Sequence, residues 1–295
     1  MDKIKSEKIK NQLSDLYNNG EISEGKNLSE QINKIVGFYF NYKVFPSFNF
    51  SNLDKDTVFC HLNPGADPDS STFYKDKIIT CNNLDEFVNL YFKEVKDYPY
   101  NTFKSNNKEC KVDNFDFKQA LFLSGFPNNG VDFLSNDNYD NKETQLEDCY
   151  NVLTQKTQLE LIPYPSKKFR SIFNSQKQSD KLIDIINPYF EEILNIITIQ
   201  SRKYVIFGSA QYEYILRSYN KKNSIIIDKS DKFAFDIGMA KKVYFTMYKL
   251  KWNNKEFTAG VAHSFARQDL PNAFTKMKKY GELAAEKYLD FMYKH

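Results

Sequence analysis

Histidine is scarce in this 295-residue chain, with only His61, His263 and His295. Cysteine is nearly as rare, and Cys60, Cys81, Cys110 and Cys149 stand far apart. None forms a CxxC or a Cys/His pair at metal-ligand spacing, which argues against zinc and iron–sulfur sites. Free thiols in a reducing cytosol are expected. The opening MDKIKSEKIKNQ lacks the apolar stretch of a secretory signal. No run approaches the ~20 apolar residues that a helix needs to span a bilayer. A soluble cytoplasmic protein without a membrane partner is therefore expected. An excess of one charge is also missing: 41 Lys+Arg against 38 Asp+Glu leave +3. Global charge thus makes no case for nucleic acid, and any basic face has to be local. The dinucleotide, P-loop and hydrolase-elbow patterns GxGxxG, GxxxxGK[ST] and GxSxG do not occur either.

What the chain does contain is material for a core. Hydrophobic residues make up 41% and aromatics 16%, with 20 Tyr and 26 Phe, well above what a disordered chain carries. Apolar residues at helical spacing predict a helical pair over 3–18 and 27–42, with the Gly20–Gly25 stretch as a breaker. Thr57–Leu62 reads as a buried strand, and so do Gln158–Ser166, ended by prolines, and Lys203–Ala210. A helix capped by Ser179 and interrupted by Pro188 follows the second of these, and QYEYILRSY follows the third. Strand and helix in alternation imply a parallel sheet covered on both faces. Next comes a hairpin turning at Asn253-Asn254, its second arm ending at His263, and then a last helix opening at Pro271. The expected fold class is α/β: a three-layer α/β/α sandwich over 51–295 with a mainly parallel central sheet, preceded by a helical extension over 1–50. The polar stretch 82–141, with its islands FVNLYF and QALFLSGF, reads as an insertion or a set of loop-borne helices.

Ligands of parallel α/β sheets bind beyond the carboxyl ends of the strands. The residues found there are His61, Asn63 and Asp67; Tyr164 and Ser166; Ser209; and His263, Ser264 and Arg267. Each has an ordinary reading beside the functional one. A histidine at a buried strand end is commonly a core residue, Asn-Pro initiates turns, and Asp67 suits an Asx turn or a helix cap. Phe73 and Tyr74 suit a core equally well, and Lys276–Lys279 a solvated helix face.

In order and spacing, HLNPG, IPYPS, YVIFGSA and AHSFARQDLPNAF resemble the uracil-DNA glycosylase superfamily. The resemblance runs from about Val58 to the C-terminus and leaves out the N-terminal helices and Asn82–Asn141. In that family one strand ends in a Gly-Ile-Asn-Pro-Gly or Gly-Gln-Asp-Pro motif carrying the water-activating residue. A later strand ends in a His-Pro-Ser motif whose histidine steadies the departing base. NPGADP contains both versions of the first motif, so the resemblance implies that either Asn63 or Asp67 orients the water, with His263 on the leaving base. It places His61, Gly65, Phe73, Tyr74, Tyr164 and Ser209 at the base pocket and Ser166, Ser264, Arg267 and Leu270 against DNA. Two departures stand out: His61 replaces a glycine, and Ser-Phe follows His263 where Pro-Ser is usual. Both point towards a modified or damaged base in preference to uracil, which stays open as a substrate.

The chemistry suits these residue types. Cleaving an N-glycosidic bond passes through an oxocarbenium-like sugar, which calls for a positioned water on one side and a donor to the departing base on the other. The expected function is DNA glycosylase, acting as a monomer without metal or other cofactor. The alternatives are an inactive DNA- or partner-binding module of the same fold, or a small-molecule nucleotide hydrolase.

Overall fold

The computed structural model describes residues 3–46, 53–62, 76–96, 114–127, 148–149, 151–166, 172–263, 265 and 274–294. In chain order the elements are α1 (Lys3–Asn19), α2 (Ser23–Val36), β1 (Thr57–His61), α3 (Leu84–Lys96), α4 (Asn114–Leu123), β2 (Lys156–Glu160), α5 (Gln176–Thr198), β3 (Tyr204–Phe207), α6 (Tyr212–Lys221), β4 (Ile226–Phe235), β5 (Val243–Trp252), β6 (Lys255–Val261) and α7 (Phe274–Lys294). The sheet runs β2-β1-β3-β6-β5-β4. Strands β1, β3 and β6 are parallel neighbours, while β5 and β4 continue the sheet antiparallel. The expected α/β sandwich is therefore present, with an antiparallel edge that the sequence indicated only in part. Strand β4 escaped detection because its exposure pattern is that of an edge: Asp228–Lys232 all face solvent, so no apolar alternation marks it.

Two compact units divide the chain. One comprises Met1–Ser51, His61–Asp97 and Leu159–Asn195; the other comprises Asn52–Cys60, Tyr98–Gln158 and Ile196–His295. The helices expected as an extension over 1–50 thus share a unit with later segments.

In the first unit, α1 stops at Gly20, whose φ of 69° lets its N–H reach the Leu16 carbonyl at 3.0 Å. Gly25 is no breaker. It sits inside α2, where a Cβ would meet the Tyr164 ring at 2.6 Å, so the missing side chain is what admits the ring. Helix α5 is capped four residues earlier than expected. Its cap is Ser175, whose Oγ accepts the Gln178 N–H at 3.3 Å, while Ser179 lies buried one turn in. The helix continues through Pro188 without splitting.

In the second unit, successive residues of β5 point to opposite faces of the sheet. Phe245 and Met247 join a core with α4 and α7, and Thr246 meets Glu213 of α6 on the other face. QALFLSGF belongs to this core: Ala120, Leu121, Phe122, Leu123 and Phe126 are all buried within it. Its following turn crosses α7 so closely that a Cβ on Gly281 would collide with the Phe122 carbonyl, and one on Gly125 with the Glu282 backbone. Backbone meets backbone there.

Helix α7 also carries two phenols that complete the sheet. The Tyr288 hydroxyl accepts the Val205 N–H at 3.0 Å and donates to the Thr258 carbonyl at 2.7 Å, linking β3 to β6 before their own ladder begins. The Tyr280 hydroxyl accepts the His263 N–H at 3.1 Å and donates to the Tyr244 carbonyl at 2.8 Å, closing the far end of the β5–β6 pair. Both side chains are buried.

Two predictions follow from this packing. Gly281→Ala lowers stability by about 1–3 kcal/mol through overpacking, read as a reduced urea midpoint at unchanged slope. Burial holds the phenols of Tyr164, Tyr280 and Tyr288 above their ordinary value of 10.0, and that of Tyr248 is pushed up to about 12 by burial and by Glu213. In the unfolded chain these phenols release protons first, so their stabilisation is complete below pH ~10 and is lost as pH rises through the folded values. Alkaline titration accordingly shows the last rise in tyrosinate absorbance, that of the buried phenols, coinciding with loss of helical circular dichroism; complete ionisation of all 20 tyrosines while the fold persists refutes the linkage.

Candidate active site

The parallel strands end together. The Gly208 N–H donates to the Cys60 carbonyl at 2.8 Å and the Ala262 N–H to the Phe207 carbonyl at 2.9 Å, so β1, β3 and β6 reach one edge in register. This is the edge at which such sheets present ligand-binding residues.

His263 leaves the end of β6 half-buried. Continuing the Thr246–Val261 register by two residues places Tyr244 opposite it. The two rings stack at 6.0 Å between centroids and 16° between planes. Its backbone N–H is held by Tyr280, whose phenol is pushed well up by burial and stays an O–H donor. The imidazole is thus oriented from both sides: a phenol fixes its main chain and an aromatic face its ring. Phe265, two residues on, is buried in the core at 5.4 Å from the Phe59 ring and 5.1 Å from Phe122.

The same face of the sheet carries a charged cluster. Glu213 accepts from the Thr246 hydroxyl at 2.7 Å and pairs with Lys232 at 3.2 Å and Arg217 at 3.6 Å. Lys232 Nζ lies 5.1 Å from the Tyr244 ring centroid, a cation–π distance. Half-exposed pairs of this kind contribute little to stability, at most about 1 kcal/mol each. They bring positive charge beside the aromatic pair.

The remaining expected residues divide. Ser209 is buried at the turn after β3, where its Oγ accepts the Gln211 N–H at 3.3 Å and so supports the start of α6. His61 is buried as the last residue of β1, its carbonyl accepting the Leu161 N–H at 2.9 Å. Tyr164, expected at the base pocket, is fully buried in the first unit, its ring against Gly25 and its hydroxyl 3.4 Å from Gln12 Oε1. Ser166, expected against DNA, is buried, and the adjacent Pro165 carbonyl accepts the Asn41 N–H at 2.8 Å. Lys276 donates to the Gly238 carbonyl at 2.7 Å and acts as a tether. Asn63, Gly65, Asp67, Phe73, Tyr74, Ser264, Arg267 and Leu270 lie outside the described residues.

Tyr244 and Tyr280 were not anticipated. A signal for Tyr244 existed: a two-residue turn at Asn253-Asn254 fixes the hairpin register, and that register pairs His263 with Tyr244. Tyr280 had none, because its hydroxyl meets strand groups far away in the chain.

Comparison with protein-family models, curated proteins and solved structures finds no match.

Tyr280→Phe leaves the His263 N–H and the Tyr244 carbonyl without their bridging hydroxyl and costs about 1–3 kcal/mol. A melting temperature equal to that of the unaltered chain would show that water replaces the phenol.

Proposed function

We propose that the chain is a DNA N-glycosylase that removes a modified or damaged base, rather than uracil, after the base leaves the helix. The observation supporting this most is that His263 stands half-exposed beyond β6, at the edge where β1 and β3 also end, with its main chain and its ring both held. The motifs that resemble the uracil-DNA glycosylase superfamily are the segments leaving these strands.

In this reading His263 donates an N–H to an oxygen of the departing base. A fixed neutral imidazole is sufficient for that. Asn63 or Asp67 orients water towards the sugar. Extrusion of the base costs a few kcal/mol, which the loop beginning at His263 offsets, with Leu270 filling the gap and Arg267 on a phosphate.

Oligonucleotides carrying uracil, a mismatch or a hypermodified base are incubated with the protein and cleaved by alkali at abasic sites. Cleavage is expected for at least one modified base, and none on any substrate overturns the proposal. His263→Ala lowers the single-turnover rate by about 10²–10³, as loss of one preorganised donor does. Asn63→Ala lowers it by about 10²–10⁴ with binding retained, and Asp67→Ala doing so in its place assigns the water to Asp67. Leu270→Ala slows excision from duplex more than from single strands; equal effects with a lowered melting temperature would make Leu270 a core residue. Binding without cleavage by the unaltered chain favours the inactive-module reading.

A further inference from the structure

The whole chain carries a net charge of only +3, so a basic surface has to come from where its lysines are placed. Residues 232–242, which end β4 and turn into β5, contain Lys232, Lys241 and Lys242 against Asp236 alone. The first turns of α7, residues 274–279, contain Lys276, Lys278 and Lys279 and no acid. Together the two segments carry five net positive charges, so the rest of the chain is net negative. The fold joins them. Lys276 Nζ donates to the Gly238 carbonyl at 2.7 Å, and the Tyr280 hydroxyl donates to the Tyr244 carbonyl at 2.8 Å while accepting the His263 N–H at 3.1 Å. Charge that lies apart in the sequence is thereby gathered beside the end of β6, where His263 emerges.

Part of this charge is already engaged within the chain. Lys232 pairs with Glu213 at 3.2 Å, and Lys276 is occupied as the tether. Lys241, Lys242 and Lys279 are exposed and form no ion pair among the described residues. Asp236, the one acid of the two segments, accepts the Gly238 N–H at 2.9 Å within its own turn. Each lysine ammonium is a hydrated point charge on a flexible stem. Three of them, divided between a turn and a helix, suit a ligand whose negative charge repeats along its length.

We propose that Lys241, Lys242 and Lys279 hold phosphates of duplex DNA alongside the base that His263 engages. The choice of partner rests on the glycosylase reading, whereas the place of the contact rests on the charge and exposure of the lysines. Phosphate contacts carry no sequence information, and their role here is to fix the duplex relative to the sheet edge.

Binding of the full chain to a duplex without any modified base is measured by fluorescence anisotropy across a salt series, so that no cleavage is required. Each phosphate contact contributes about −0.9 to the slope of log affinity against log salt. Lys241→Gln, Lys242→Gln and Lys279→Gln each flatten that slope by about one and weaken binding, with the melting temperature unchanged. Lys10→Gln and Lys34→Gln, at exposed lysines of α1 and α2, leave the slope as it was. Bound duplex also shields Lys241, Lys242 and Lys279 from acetylation, read by mass spectrometry, and leaves Lys10 and Lys34 reactive. A slope unaltered in all three variants, or equal acetylation with and without duplex, overturns the proposed surface even where a modified base is excised. Absence of duplex binding by the unaltered chain overturns it as well. Flattened slopes without cleavage of any substrate uphold the surface and overturn the glycosylase reading.

Discussion

Strands that splay leave backbone groups in the interior, and a buried N–H or carbonyl without a partner costs about as much as a lost hydrogen bond. The second unit meets this constraint with α7. Tyr288 joins β3 to β6 where their ladder has not begun, and Tyr280 joins β6 to β5 near where it ends. The two phenols are eight residues apart on one helix, roughly 12 Å along its axis. Helix and sheet are therefore held in one register by hydrogen bonds as well as by burial. The position of His263 follows from this, since its own N–H is one of the groups so satisfied.

The second tie on α7 is steric. Gly281 lets the turn after α4 approach to backbone contact, and Gly125 permits the same from the other side. Phe122 can then reach Tyr280 at 4.9 Å and Phe265 at 5.1 Å, so the ring packed on the phenol also packs on the residue two beyond His263. Packing in the core and orientation at the sheet edge depend on the same few side chains. A change at Gly281 therefore reaches the candidate site without touching it.

The outer end of the sheet obeys a different rule. Every residue of β1 and β3 is buried. At β4 an unbroken run from Asp228 to Lys232 is exposed. Glu213 ties part of this edge inward through Lys232 and Thr246.

Much of this architecture was legible in the sequence because its signals are local. Short apolar runs between turn residues marked β1 and β3, and Asn253-Asn254, both with positive φ, specified the hairpin and hence the facing of Tyr244 and His263. The placing of His263 at a strand end came from the same pattern. The tertiary structure decided everything that depends on residues distant in the chain. Gly25 reads as a breaker until Tyr164 is found against it, and QALFLSGF as a loop-borne helix until α7 crosses it at Gly281. Tyr164, which follows β2 as a site residue would, is buried beneath α2, and Ser209 spends its hydroxyl on a turn. Periodicity reports which side of an element is apolar, but not which partner covers it. A hydroxyl bridging two strands leaves no periodic trace, and so the phenols of α7 became visible only in the folded chain.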